Sequence, residues 1–328
     1  MLPPATSCWI ITDGKAGDEG QCLGVAEALG LAPDVRRVAP RAPWSWLAPW
    51  GPVDPREAPG REGGPLAGAL PDIAIASGRR AVPALKALKR ASGGRTFTVF
   101  LKDPRTGTGA ADFIWVPEHD RLRGPNVLAT LTSPHRVTPE RLAAARAAPP
   151  AALAALPRPR VALLLGGDSR HHVFTGEDIL RLTGQIGALA QTGAGLMATA
   201  SRRSPPALVE GVRSILRGKG GFFWDGTGDN PYMAMLALAD AIVVTADSAN
   251  MVGEACATGR PVLVFEPSWR HQKGSDRLRR QIIALKEAGA VRFFQGRLES
   301  YAYPALDSTP VIASAIEAAY LRRRSTPA

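Results

Sequence analysis

Asp247, Ser248, Asn250 and Glu254 are crowded into the stretch TADSANMVGEACATGRPV, between the apolar runs AIVVT (241–245) and RPVLVFEPS (260–268). A buried strand that passes through a small polar loop straight into a helix sets that helix's unpaired N–H groups and positive dipole end at the strand's end. A diphosphate would be held there without a metal. Ser248 is placed at the phosphate end and Asp247 at the joint itself. Glu254 lies too far along the helix to cap it and is too acidic for a buried face without a partner. A carboxylate there suits the two hydroxyls of a ribose; the alternative is a structural partner such as Arg260 or a backbone group.

Two further loops have the same character. In TDGKAGDEGQ (12–21), Gly14 and Gly17 permit close backbone approach, and Lys15 brings a cation to a helix start. That combination suits a phosphate or an anionic acceptor, or else an ordinary strand-to-helix turn; neither a Walker A loop nor a dinucleotide fingerprint is present. In GGDSRHH (166–172), Gly166 and Gly167 would let a ligand reach the backbone, with Asp168, Ser169 and Arg170 as polar contacts and Arg170 fit to pair with a diphosphate. Thr175 and Asp178 have the spacing of a reciprocal helix cap. The pair His171-His172 has no set of Cys, Asp or Glu at ligand spacing around it, so no metal site is expected.

Composition narrows the partners. The formal charge of +11 in 328 residues favours an anionic partner or reflects a general richness in Arg. The basic clusters Arg202-Arg203, Arg279-Arg280 and Arg322 to Arg324 are short and not interleaved with stacking aromatics, so nucleic acid is not expected. Cys8, Cys22 and Cys256 have neither CxxC spacing nor an even count, which predicts reduced thiols in a cytoplasmic protein. The start MLPPATSCWIITDG has too short an apolar core for a signal peptide, and no segment approaches 18 apolar residues, so no membrane span is expected.

The elements that must position these loops alternate strand and helix. Runs 7–12, 71–78, 96–104 and 112–120 read as buried strands, with helices over 20–30 and 79–90. The Pro- and Ala-rich stretch 139–159 reads as a helix followed by a linker. The pattern then restarts with strands at 160–167, 194–201, 220–225, 241–245 and 260–268 and helices at 175–192 and 204–216. This predicts an α/β chain of two doubly wound, Rossmann-like parallel-sheet domains facing across a cleft. The N-terminal domain covers 1–155 and is joined by a C-terminal helix at 309–324; the nucleotide-binding domain covers 156–308. The connection 41–65 carries Trp44, Trp46 and Trp50. These indoles form either a membrane-surface anchor, with Arg36, Arg37 and Arg41 at the headgroups, or a lid folded back on the first domain.

The segment ADAIVVTADSANMVGEACATGRPVLVFEP resembles the nucleotide-binding signature of two-domain GT-B glycosyltransferases, especially the enzyme that adds N-acetylglucosamine to the lipid-linked peptidoglycan precursor. Taken with WIITDGKAGDEGQCLGVAEALG, WVPEHDRL, LLLGGDSR, GDNPYMAMLALADAIVVTADSANMVGEA and TGRPVLVFEP in this order, the chain is similar to the mitochondrial fission family first named for an elongated-mitochondria plant mutant. Plant members of that family are described as recruiters of a dynamin-related protein, and bacterial members are often labelled nucleoside-diphosphate-sugar epimerases.

The resemblance implies that Ser248, Met251 and Glu254 line a nucleotide pocket. Gly166, Gly167 and Ser169 would cover the diphosphate or sugar, and Asn230, Pro231 and Tyr232 would form a further wall. It implies a metal-independent transferase that needs no cofactor beyond a nucleotide-diphosphate sugar donor and acts on an anionic or lipid-linked acceptor. A nucleotide-sugar 2-epimerase and a non-catalytic scaffold peripheral to the inner face of the membrane are the alternatives. Inverting transfer needs a base on the acceptor side. The peptidoglycan enzyme carries a histidine in its first loop; this chain has Asp13, Asp18 and Glu19 there. Asp13 is the first candidate base, and His119 with Asp120 as its orienter the second.

Overall fold

A computed structural model describes residues 2–270 and 276–325, which divide into two compact units, 1–136 with 307–328 and 137–306. In unit 1, β1 (Cys8–Thr12), α1 (Ala16–Ala28), β2 (Asp34–Arg37), α2 (Trp44–Leu47), β3 (Ile73–Ser77), α3 (Ala81–Ala91), β4 (Phe97–Leu101), β5 (Phe113–Pro117) and β6 (Val127–Thr130) follow in order. The strands form one parallel sheet, ordered β2-β1-β3-β4-β5-β6. In β1 all five residues are buried, because the pleat sends alternate side chains into two cores. Cys8 and Ile10 pack with Cys22 and Val25 of α1, whereas Trp9 and Ile11 pack with Leu85 and Leu88 of α3.

Unit 2 begins with α4 (Pro139–Ala147) and α5 (Ala151–Ala154), which the sequence reading placed in the first domain. Both pack on α8 (Tyr232–Leu238), where Arg146 Nε donates to the Ala237 carbonyl at 3.0 Å. The division therefore falls at Arg136–Val137 rather than near 155. Then come β7 (Arg160–Leu165), β8 (His172–Val173), α6 (Gly176–Ala190), β9 (Gly195–Ala200), α7 (Pro206–Lys219), β10 (Phe222–Trp224), α8, β11 (Ala241–Thr245), α9 (Ala249–Cys256), β12 (Val262–Phe265), β13 (Ser268–Trp269), α10 (Asp276–Glu287) and β14 (Val291–Phe293). The main sheet is again parallel, ordered β10-β9-β7-β11-β12-β14, with β8 and β13 paired as a short antiparallel ribbon. Val161, Leu163 and Leu165 of β7 meet Leu182, Ile186 and Leu189 of α6 in its core. The last helix, α11 (Thr309–Ser325), returns to unit 1, where Ile312, Ile316 and Tyr320 join the α1 core.

Both units are thus doubly wound Rossmann-like domains. In such sheets the chain reverses direction at one strand pair, and the carboxyl ends of that pair open a crevice where ligands bind. The pair is β1 and β3 in unit 1, and β7 and β11 in unit 2.

Candidate functional site

At the switch point of unit 2, the loop after β7 meets the loop after β11 through Asp247. This side chain is fully enclosed. Its Oδ1 accepts from Thr245 Oγ1 at 2.7 Å, and its Oδ2 from the Gly167 N–H at 3.0 Å and from Arg203 at 3.3 Å. Burial raises its pKa against these donors. The Gly166 N–H donates to Thr245 Oγ1 at 2.7 Å. A Cβ at Gly166 would lie 2.0 Å from Asp247 Oδ1, and one at Gly167 would lie 2.0 Å from the Arg203 carbonyl oxygen. Both glycines therefore admit neighbouring groups of the protein itself, and both N–H groups have intramolecular acceptors.

The helix after β11 starts where the sequence placed it. Ser248 is its N-cap, with its hydroxyl accepting from the Met251 N–H at 3.4 Å. Ser248, Met251 and Glu254 recur at intervals of three and share one side of α9. Glu254 Oε2 accepts from the Tyr232 hydroxyl at 2.5 Å. Burial raises the carboxyl's pKa and the tyrosine bond opposes it; burial and the carboxylate beside it both push the phenol up. Asn230, just ahead of the α8 N-cap Pro231, accepts the Tyr232 N–H at 3.0 Å through its Oδ1. The remaining expected contacts lie in the β7 loop. Ser169 Oγ accepts the N–H groups of His171 and His172, Asp168 pairs with Arg270 at 3.1 Å, and the Arg170 side chain stands in solvent.

In unit 1 the first loop is shorter than its sequence suggests, because α1 already starts at Ala16, with Asp18 and Glu19 complementing the dipole of its first turn. Gly17 lies inside that turn, and Gly14 takes a left-handed φ of 78°. Asp13, whose side chain is 3% exposed, binds the Lys15 ammonium at 2.6 Å. Its Oδ1 is buried, has no hydrogen-bond partner among the described residues, and lies 3.4 Å from the position of a Cβ at Gly78, just past β3. Asp18 pairs with Lys102. Glu19 is gripped by Arg37, whose bonds pull its pKa down against burial. Three carboxylates at the end of this sheet are thus each paired with a cation. Among the described residues no group of His, Cys, Asp or Glu could hold a metal ion.

A family model described as Mitochondrial fission ELM1 matches residues 16–320. The chain belongs to that family. It is 29% identical over 280 residues to the mitochondrial fission protein ELM1 of Arabidopsis thaliana, a match covering 75% of this chain and 63% of that protein. It is 26% identical over 164 residues to the uncharacterized protein RP120 of Rickettsia prowazekii (strain Madrid E), covering 48% of this chain and 45% of the relative. The chain thus spans less than two thirds of the length of these relatives.

Similar solved structures include the putative UDP-N-acetylglucosamine 2-epimerase of Listeria monocytogenes, with TM-score 0.54, 12% identity and coverage of 98% and 89% of the two chains. The S. aureus MnaA–UDP complex has TM-score 0.53, 13% identity and coverage of 95% and 87%. The UDP-GlcNAc 2-epimerase of Neisseria meningitidis bound to UDP-GlcNAc has TM-score 0.50, 12% identity and coverage of 98% and 100%. At such identities the likeness is one of fold, and it establishes the GT-B-like architecture of the ELM1-family chain.

The family match begins just after Asp13, Gly14 and Lys15. The second base candidate sits elsewhere on the same sheet: His119 and the buried Asp120 form the turn after β5. β5 lies three strand positions from β1, on the order of 14 Å at ordinary strand spacing. Cys8 and Cys256 are buried, and burial pushes both thiols up to about 12, so neither is a ready nucleophile.

Of the arginines expected beside the tryptophans, Arg41 keeps that place, its guanidinium lying over the Trp44 ring at 5.6 Å from the centroid. Arg36 pairs with Asp34 and stacks on Trp9, Arg37 holds Glu19, and Arg41 holds Asp54. Trp44 is half-buried, whereas Trp46 and Trp50 are 75% and 68% exposed and do not fold back. Among the described residues no helix is long and apolar enough to cross a membrane.

Sequence reasoning missed Thr245 and Arg203, which hold Asp247, and Lys102, which holds Asp18. Each lies in a run whose apolar or basic character hides its role. It also treated Tyr232 and Glu254 separately, 22 residues apart.

Proposed function

We propose that unit 2 binds a nucleoside-diphosphate sugar. In this reading the chain is a metal-independent glycosyltransferase of the cytoplasm, peripheral to the membrane's inner face, that acts on an anionic or lipid-linked acceptor. The observation that carries the reading is α9. Its N-terminus, capped by Ser248, stands at a switch point, and a partly buried carboxylate held by a phenol follows on the same side of the helix.

The helix dipole and the exposed Arg170 take the diphosphate, Met251 lines the pocket, and Glu254 takes the ribose with Tyr232 and Asn230 beside it. Ser169 shapes the loop, while Gly166 and Gly167 bring Asp247 into position to brace it. In the reaction, the acceptor hydroxyl oxygen bonds to the sugar's anomeric carbon. The bond from that carbon to the phosphate oxygen breaks, its electron pair leaving with the diphosphate, and the hydroxyl proton passes to Asp13. Asp13 is preferred to His119 because its Oδ1 is buried at the switch point of unit 1 with no hydrogen-bond partner among the described residues. No cofactor enters.

Solved structures of similar fold include complexes with UDP and with UDP-GlcNAc, which supports a nucleotide sugar as the donor. A 2-epimerase using the same donor, and a non-catalytic scaffold, are the other readings. Thermal shift with UDP, GDP, ADP, CDP and dTDP tests the binding itself. A ligand at a hundred times its dissociation constant adds about 2.7 kcal/mol, or roughly 2 to 4 °C for a unit of this size. If none of the five moves the midpoint, both enzyme readings fail.

A further inference from the structure

The two exposed tryptophans lie beside a basic cavity. α2 and the turn after it are fixed to the start of α3 by Arg79, which donates to the carbonyls of Ser45 and Ala48 at 3.3 and 3.2 Å. This anchoring leaves Trp46, Leu47 and Trp50 facing solvent at 75%, 49% and 68% exposure. Monomer surfaces rarely leave such large side chains grouped and bare without a use for them.

Against Trp50 opens a cavity of about 720 Å³, walled by Pro52 on one side and by Pro83, Lys86 and Arg90 of α3 on the other. Positions 83, 86 and 90 follow one stripe of the helix. Lys89 also lines the cavity but is neutralised by Asp112 at 2.7 Å. Among the described residues no carboxylate lies within ion-pair reach of Lys86 or Arg90. Burial, and then the neighbouring Arg90, pull the Lys86 pKa down. An anion in the cavity would relieve both effects.

We propose that this face of unit 1 docks on an anionic phospholipid surface, with a lipid phosphate between Lys86 and Arg90 and the Trp46 and Trp50 indoles at the headgroup level. Indoles favour that level because their apolar body and polar N–H match its gradient. Basic side chains beside them add attraction to anionic lipid. The surface is independent of the α9 site and of whether that site is catalytic.

Co-sedimentation with vesicles of phosphatidylcholine alone, and of phosphatidylcholine with phosphatidylglycerol, tests it. The wild-type chain pellets with the anionic vesicles only. Lys86→Gln with Arg90→Gln lowers that partition by roughly thirtyfold, at about 1 kcal/mol for each cation. Trp46→Ser with Trp50→Ser, whose side chains are largely in solvent, also lowers partition. Unchanged pelleting of both variants overturns the proposal, as does failure of the wild-type chain to pellet. Loss of pelleting in excess inorganic phosphate at matched ionic strength assigns the cavity to a soluble anion instead. A dimer that Trp46→Ser with Trp50→Ser dissociates assigns the face to a second copy of the chain.

Discussion

The Tyr232 hydroxyl donates to Glu254 Oε2 at 2.5 Å, joining the first residue of α8 to a carboxylate near the end of α9. The phenol keeps the partly buried carboxylate hydrogen-bonded; in the proposed reading a ribose hydroxyl would compete for the same oxygen. Glu254→Ala is expected to abolish the nucleotide-induced thermal shift. Tyr232→Phe, which leaves the carboxylate without its donor, is expected to cost about 1 to 3 kcal/mol of stability while preserving a nucleotide shift. Urea unfolding with and without the best nucleotide measures both. Loss of the shift in Tyr232→Phe, with the fold intact, would make the tyrosine a ligand contact in its own right.

Gly166→Ala is expected to destabilise unit 2 by about 2 kcal/mol or more, because its Cβ would fall 2.0 Å from Asp247 Oδ1. The clash is with a side chain, so Asp247→Ala should absorb much of it. A double-mutant cycle should then return a coupling of at least ~1 kcal/mol. Strict additivity would mean that the loop moves instead.

His172 is fully enclosed and packs on Trp269 at 4.0 Å between centroids, with neither ring nitrogen hydrogen-bonded among the described residues. Burial first, and His171 second, lower its pKa from 6.5 to about 4. A pKa depressed by folding gives stability that is complete above 6.5 and is lost as pH falls through 4. The loss is bounded at about 3 kcal/mol by 1.36 kcal/mol for each pH unit. His172→Phe keeps the packing and removes the titration. Its stability should therefore fall less than that of the wild type between pH 6.5 and 4 in matched denaturant titrations.

Asp178 binds Thr175 in a reciprocal helix cap and also accepts the Ser268 N–H at 3.0 Å. Burial alone would raise its pKa, but Arg181, Thr175 and Ser268 outweigh it and hold the carboxyl at about 2. The stability it contributes is present above 3.8 and is lost as pH falls through 2. Asp178→Asn should cost about 1 to 2 kcal/mol at neutral pH, with the cost shrinking in acid; a cost constant with pH would assign it to shape rather than charge.

If transfer occurs, Asp13→Asn should lower its rate by about 10² to 10⁴ and leave the nucleotide shift intact, since Asp13 lies in unit 1 and α9 in unit 2. His119→Ala, on a turn three strands away, should change it far less. The reverse ranking in a sugar-transfer assay would move the base to the β5 turn.

The strands that carry the two switch points were legible because each is apolar on both faces and ends abruptly in Gly, Asp or Ser. β1, β3, β7, β9 and β11 fall within the stretches their sequences mark. β2 was not legible: DVRR is a charged, partly exposed sheet edge whose only strand signal is its pairing with β1. The helix α4 was visible, but its allegiance was not, since an Ala-rich segment packs equally well in either unit until Arg146 reaches the Ala237 carbonyl.

The sequence by itself determined the alternation of elements, the helix start near Ser248, the Thr175–Asp178 pair and the polar loops that end the strands, because these rest on neighbours within a few residues. Only the tertiary structure decided which groups those loops hold. Asp247 closes on Gly167 and Arg203, Glu254 on Tyr232, and Asp13 comes beside Gly78, while Lys86 and Arg90 line the cavity beside Trp50, Arg41 stands over Trp44, and Arg36 and Arg37 turn to Asp34 and Glu19. These pairings join residues up to 80 positions apart along the chain. Sheet order, rather than local spacing, brings such residues together.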